Sequence, residues 1–125
     1  MDVEFKISKK PINYKKAMLF LRKRVEMVKK GGRELVWFLE HPTTYTAGIR
    51  SKKDEILDKS INVIKTNRGG KITCHAPGQL VCYFVLDLRN KKDIRKFITV
   101  IEKTIIKTLI VLSIISFSLY EVPAV

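Results

Sequence analysis

The sequence predicts an α/β fold, a mixed sheet with helices packed on it. Three observations carry that prediction. Two segments, Glu34–Glu40 and Gln79–Asp87, are apolar on both faces, as strands inside a sheet are. Two others repeat their apolar residues at helical spacing, each opened by a capping side chain. The order along the chain is strand, helix, strands, helix, which suits helices laid on a mixed sheet.

Val3, Phe5 and Ile7 alternate with Asp2, Glu4, Lys6 and Ser8, so the N-terminus predicts a half-buried strand ended by Lys9-Lys10-Pro11. Asn13 can cap a helix reaching about Lys30, with Tyr14, Met18, Leu21, Val25 and Val28 as its apolar stripe. Gly31-Gly32 stops it, because glycine takes the left-handed conformation at little cost. The strand Glu34–Glu40 ends at His41-Pro42. Thr43–Gly48 reads as a polar loop, and Ser51–Ser60 as an exposed stretch with a short helical turn near Glu55. Ile61–Ile64 predicts a short strand. In Gln79–Asp87, Leu80, Cys82, Phe84 and Leu86 face one way and Val81, Tyr83 and Val85 the other, predicting a central strand covered on both sides. After a turn at Arg89–Lys92, Asp93 can cap a second helix with Ile94, Phe97, Ile98, Ile101, Ile105 and Leu109 as its stripe.

A chain of 125 residues with 46% hydrophobic content fits one folded domain. Its net charge is +13, from 25 basic and 12 acidic residues. The basic residues run from Lys6 to Lys107 without a recognition-helix pattern or a basic strand interleaved with aromatics, so a general surface bias is expected and nucleic acid is not a partner. Two cysteines, Cys74 and Cys82, make no disulfide framework. The charged start Met1-Asp2-Val3-Glu4 lacks the apolar core of a signal peptide, which points to the cytoplasm. Leu109–Tyr120 is apolar but shorter than the roughly 20 residues of a membrane span, so core material and no membrane partner is the expectation. No metal-ligand spacing, phosphate loop or dinucleotide glycine pattern is present, and neither a metal nor a cofactor is expected.

The chemistry concentrates in Arg68-Gly69-Gly70-Lys71-Ile72-Thr73-Cys74-His75, followed by Ala76-Pro77-Gly78-Gln79-Leu80-Val81. Two glycines let a ligand approach backbone N–H groups closely. Arg68 sets a permanent cation with several donors beside them. His75 can exchange a proton near neutral pH or donate a directed hydrogen bond. Pro77-Gly78 suits the middle of a tight turn that fixes His75. Taken singly, each of these is an ordinary structural residue; the ordered set raises the odds of a site.

That ordered set, with Tyr83 and Asp87-Leu88 after it, resembles the lipoyl(octanoyl) transferase family, also called lipoate–protein ligase B. Upstream, Tyr14, Ala17, His41-Pro42, Tyr45-Thr46 and Gly48 are similar to the same family. The match runs from about residue 14 to 109, with 110–125 a divergent tail. The resemblance implies the biotin/lipoate protein ligase catalytic-domain fold, with residues 1–125 forming its N-terminal part only, a single incomplete domain. It implies transfer of octanoate from octanoyl-acyl-carrier-protein to a lysine of the lipoyl domains of 2-oxoacid dehydrogenase-type complexes. Arg68, Gly69, Gly70, Lys71, Ile72, Thr73, Cys74 and His75 would bind the substrate. The nucleophilic cysteine and the lysine that lowers its pKa are expected beyond Val125, so no catalytic residue is assigned within the chain and activity alone is not expected.

Cys74 stands where the family has tyrosine, Ala76 where it has glycine and Phe84 where it has proline, which predicts a looser pocket. Adjacent side chains on an extended segment point apart, so Cys74 is expected to be a wall residue and not a nucleophile paired with His75. Cys82, within an apolar strand, is expected to be inert. The competing reading is a non-catalytic remnant that keeps an acyl-binding fragment.

Overall fold

The computed structural model describes residues 2–89 and 93–112. Its elements run β1 (Val3–Ile7), α1 (Tyr14–Lys29), β2 (Glu34–Leu39), β3 (Thr44–Ala47), β4 (Val63–Lys65), β5 (Ile72–His75), β6 (Val81–Val85) and α2 (Ile94–Val111). A unit boundary follows Asp87, so α2 belongs to the second unit. The mixed α/β architecture expected from the pattern is present.

The first unit contains two three-stranded sheets, ordered β1-β2-β6 and β4-β3-β5. β2 is central, parallel to β1 and antiparallel to β6. Its Leu35, Trp37 and Leu39, with Val85 of β6, form the core against Ala17 and Val28 of α1. Burying side chains of this size is worth about 1.5–3 kcal/mol each. Ala17 is wholly buried, and its small side chain lets the helix sit close to the sheet. The Trp37 indole N–H donates to Ser8 Oγ at 2.9 Å, so the one polar atom of the ring is satisfied.

Helix α1 begins and ends where its sequence requires. Asn13 Oδ1 accepts from the Lys16 N–H at 3.2 Å. At the other end Gly31 has φ +85°, and the Gly31 and Gly32 N–H groups donate to the Val28 and Met27 carbonyls, both at 2.9 Å. That crossed pair of bonds is a Schellman close, and it needs the left-handed residue that glycine supplies.

Three expectations are corrected. The inward residues of α1 include Arg24, while Val25 of the expected stripe is exposed. Arg24 can be buried because its guanidinium meets Glu4 at 2.6 Å and lies 5.7 Å from the Phe20 ring centre. For the same reason β1 turns its polar side to the helix. Glu4 pairs with Arg24, Lys6 Nζ stands 5.6 Å from the Phe20 ring centre, and Phe5 and Ile7 are left 72% and 75% exposed. Second, Thr43–Gly48 is not a loop: Thr44–Ala47 is the central strand of the second sheet, parallel to β4 and antiparallel to β5. Third, β6 is not central; among the described residues it is an edge of its sheet.

Other expectations are met closely. The short turn is a 3-10 helix at Lys53–Glu55. The predicted Ile61–Ile64 strand is β4, shifted toward the C-terminus. In the second unit, Asp93 Oδ1 accepts from the Lys96 N–H at 2.9 Å and α2 follows as predicted, with Ile94, Ile98 and Ile105 of its stripe exposed. Residues 90–92 of the turn expected at Arg89–Lys92, and residues 113–125, lie outside the described residues.

Candidate functional site

The second sheet supplies the predicted segment in two parts, a glycine loop at residues 68–71 and strand β5. The loop is stitched to residues 48–50 through its carbonyls. Gly48 N–H donates to Lys71 O and Ile49 N–H to Arg68 O, both at 3.0 Å, and Arg50 N–H donates to Gly70 O at 3.1 Å. The Gly69 and Gly70 N–H groups lie outside this set. Gly70 has φ +79°, which explains glycine there. Gly48 is glycine for a different reason: a Cβ there would stand 2.5 Å from the Gly69 carbonyl oxygen and closer still to that of Gly70.

Arg68 is the loop's clamp. Its guanidinium donates to Thr46 O at 2.9 Å, Thr46 Oγ1 at 3.0 Å, Lys71 O at 2.7 Å and Gly69 O at 2.9 Å. Thr46 is completely buried, so these bonds anchor the loop to the centre of the sheet. Lys71 Nζ pairs with the Glu55 carboxylate at 2.5 Å, which ties the 3-10 turn to the loop and holds that carboxyl below its usual range. In sequence Arg68 reads as a cation beside a bound ligand, and Lys71 as part of the same binding segment. In the structure their first partners are the protein's own carbonyls and carboxylate.

In β5, alternation places Thr73 and His75 on one face and Ile72 and Cys74 on the other. The register pairs Thr46 with Thr73 and Thr44 with His75, while β4 brings Ile64 opposite Thr46. One face of the sheet therefore carries Ile64, Thr46, Thr73 and His75 in sequence. Ile64 lines an open groove of about 890 Å³, whose opposite wall is the Tyr14, Met18, Leu21 and Val25 side of α1. Ile49 adds a further apolar wall, and Lys15, Arg22 and Lys65 also border it. The α1 residues expected to be core are thus largely the wall of a groove.

At the Tyr14 end the groove meets an aromatic cluster. The Tyr14 ring stacks on His75 at 5.9 Å between centroids, and His41 lies 5.2 Å from Tyr14 and 5.5 Å from His75. His41 is fully buried. Its Nδ1 is 2.6 Å from the Ile12 carbonyl oxygen, which can only accept, so Nδ1 carries the hydrogen. The Tyr83 hydroxyl then donates to Nε2 at 2.9 Å. Burial lowers the His41 pKa against the opposing effect of the Ile12 bond, and His75 lowers it further. Burial raises the pKa of both phenols. The field of Arg68 partly opposes this at Tyr14, while Tyr14 adds to it at Tyr83.

The Pro77-Gly78 turn performs as expected. Gly78 has φ +88°, the Gln79 N–H closes the turn on Ala76 O at 3.1 Å, and the Gly78 N–H donates to the Glu40 carboxylate at 2.8 Å. The turn returns Gln79 to His75, whose Nδ1 is 2.8 Å from Gln79 Oε1. Cys74 is exposed and its Sγ is 3.7 Å from the His75 carbonyl oxygen. Cys82 is half-buried, and burial pushes its thiol pKa up.

In sequence His41 reads as a strand breaker and as part of a family-like loop; its placement in the site rests on contacts to Ile12, Tyr14, His75 and Tyr83. Its resemblance to the family's early loop was the available signal. Among the described residues no group of histidine, cysteine, aspartate and glutamate could hold a metal ion, and no helix is long and apolar enough to cross a membrane.

Comparison with known proteins places the chain in a family. The lipoyl protein ligase A/B catalytic domain profile matches residues 13–121. An octanoyltransferase of Ehrlichia canis is 42% identical over 119 residues, 92% of this chain and 56% of the relative. One from Bartonella bacilliformis is 46% identical over 110 residues, 86% of this chain and 46% of the relative. One from the Wolbachia of Brugia malayi is 43% identical over 110 residues, 86% of this chain and 54% of the relative. The chain spans about half the length of these curated relatives. With the glycine loop, His75 and their sheet in place, the chain belongs to the lipoyl protein ligase A/B catalytic-domain family.

Proposed function

We propose that this chain provides the acyl-binding part of an octanoyltransferase site. The observation that carries the proposal is the shared face of Ile64, Thr46, Thr73 and His75, which runs from an apolar groove to the aromatic cluster beside the glycine loop. Apolar grooves ending in a few fixed polar groups are the usual form of a site for a chain with a reactive head. From Tyr14 to Leu21 the helix wall rises about 10 Å, near the reach of an extended octanoyl chain.

In this arrangement the acyl tail lies against Met18, Leu21 and Ile64, and the thioester carbonyl faces the Gly69–Gly70 N–H groups and His75. Arg68 and Lys71 hold the loop in shape, and Ile72, Thr73 and Cys74 shape the strand beside it. The donor is octanoyl-acyl-carrier-protein and the acceptor a lysine of a lipoyl domain, in the cytoplasm. A thiolate attacks the thioester carbon, the carrier thiol leaves, and the acceptor amine then takes the acyl group as an amide and frees the thiolate. Backbone N–H groups fixed toward the developing oxyanion would stabilise both steps. Cys82 is unsuited to be that thiolate, because burial raises its pKa. Cys74 is unsuited because it lies on the face of β5 opposite His75. The nucleophile and the lysine that activates it come from polypeptide corresponding to the part of the relatives this chain does not span.

The test combines binding and turnover. Octanoyl-pantetheine should bind the chain in calorimetry, and Gly70→Val should abolish that binding. Incubation with octanoyl carrier protein and a lipoyl domain should give product only when the complementary polypeptide is supplied. An absence of acyl binding by the wild-type chain would sink the proposal. Binding without product, even with the complementary polypeptide present, would leave only the non-catalytic acyl-binding reading.

A further inference from the structure

We infer that His41 and Tyr83 form a positioning pair that holds one imidazole tautomer behind His75 and so fixes the ring orientation of His75 and Tyr14. The geometry is specific. His41 is at zero exposure, both of its ring nitrogens are engaged, and its partners come from separate parts of the chain: the Ile12 carbonyl ahead of α1 and the Tyr83 hydroxyl of β6. The Ile12 oxygen dictates the Nδ1–H tautomer, which makes Nε2 an acceptor, and only a donor such as the Tyr83 O–H satisfies it. The rings then contact one another as a set: Tyr14 and His75 on His41 at 5.2 and 5.5 Å, and Tyr83 at 5.9 Å.

The groups that face His41 are Tyr14 from α1, Tyr83 from β6 and His75 from β5, all neutral when His75 is unprotonated. Arg68 acts on this cluster through its field at Tyr14. His75, bound at Nδ1 to Gln79, stands at the head of the groove with its ring against the fixed His41 imidazole. His41 thereby acts through His75 and Tyr14 and is a positioning residue, not a catalytic one. Its service to an acyl group rests on the function proposed above; the tautomer and its coupling to His75 do not.

The experiment follows both imidazoles by long-range proton–nitrogen NMR on the labelled 125-residue chain at neutral pH, in wild type and Tyr83→Phe. In wild type, His41 should show one fixed Nδ1–H tautomer, with Nε2 shifted as a hydrogen-bonded acceptor. Tyr83→Phe removes the donor to Nε2, so the Nε2 resonance should move toward that of an unbonded imidazole nitrogen, and the ring signals of His75 should move with it. Octanoyl-pantetheine should bind Tyr83→Phe about fivefold more weakly, as expected for one displaced hydrogen bond. Mixed tautomers of His41 in wild type, or His75 ring signals unmoved by Tyr83→Phe, would overturn the inference. If wild type fails to bind the thioester, the acyl-site proposal fails, while the NMR arms still decide the positioning pair.

Discussion

Replacing Gly48 by alanine tests whether the glycine loop is held by close backbone contact. The added Cβ would stand 2.5 Å from the Gly69 carbonyl oxygen, nearer to that of Gly70 and 2.9 Å from the Gly70 carbonyl carbon. These are backbone atoms, so no rotamer change relieves the clash, and the loop must retreat by several tenths of an ångström. Overpacking of this kind costs about 1–3 kcal/mol. The retreat also stretches the three bonds from residues 48–50, each worth about 1 kcal/mol net when fully lost. The expected destabilisation is about 2–4 kcal/mol. Urea unfolding followed by Trp37 fluorescence measures it, since Trp37 is 3% exposed and must change environment on unfolding. Gly31→Ala is the control. Its Cβ would meet nothing within 4 Å, but at φ +85° it should cost about 1 kcal/mol from backbone strain alone. A Gly48→Ala protein within about 0.5 kcal/mol of wild type, the range of an ordinary surface change, would refute the close-contact account of the loop.

Arg24→Ala should destabilise by about 2 kcal/mol, discounted because Glu4 keeps a third of its exposure; Arg24→Met should recover the part due to packing of the stem, and equal losses in the same urea assay would argue against that packing contribution. A thiol reagent such as Ellman's should modify Cys74 about tenfold faster or more than Cys82, because Cys74 is exposed and burial raises the Cys82 pKa; comparable rates, resolved with Cys74→Ser, would contradict the placement of β6. His41 has a folded pKa lowered below its unfolded value, so the unfolded chain binds more protons as the pH drops. Stability should therefore fall with pH below about 6.5 and go on falling to the lowered folded value; His41→Asn should flatten this slope in unfolding curves from about pH 5 to 7.5.

Local sequence determined where elements begin and stop. Asn13 and Asp93 cap helices, Gly31-Gly32 closes one, and Pro77-Gly78 makes the turn that returns Gln79 to His75, because each depends on dihedral preferences and short-range hydrogen bonds. The ordered segment from Arg68 to His75 marked the site for the same reason: its parts are adjacent in the chain. Tertiary structure alone decided which faces are buried. Phe5 and Ile7 lost the inward side of β1 to Glu4 and Lys6, because Arg24 and the Phe20 ring wait across the interface. Thr44–Ala47 became a central strand only because β4 and β5 lie on either side of it. Tyr14, His41, His75 and Tyr83 converge from distant positions, and Arg68 and Lys71 turn to the protein's own oxygens. Periodicity states that a face exists; which groups stand opposite it is set by long-range pairing, and the protonation of His41 follows from those groups.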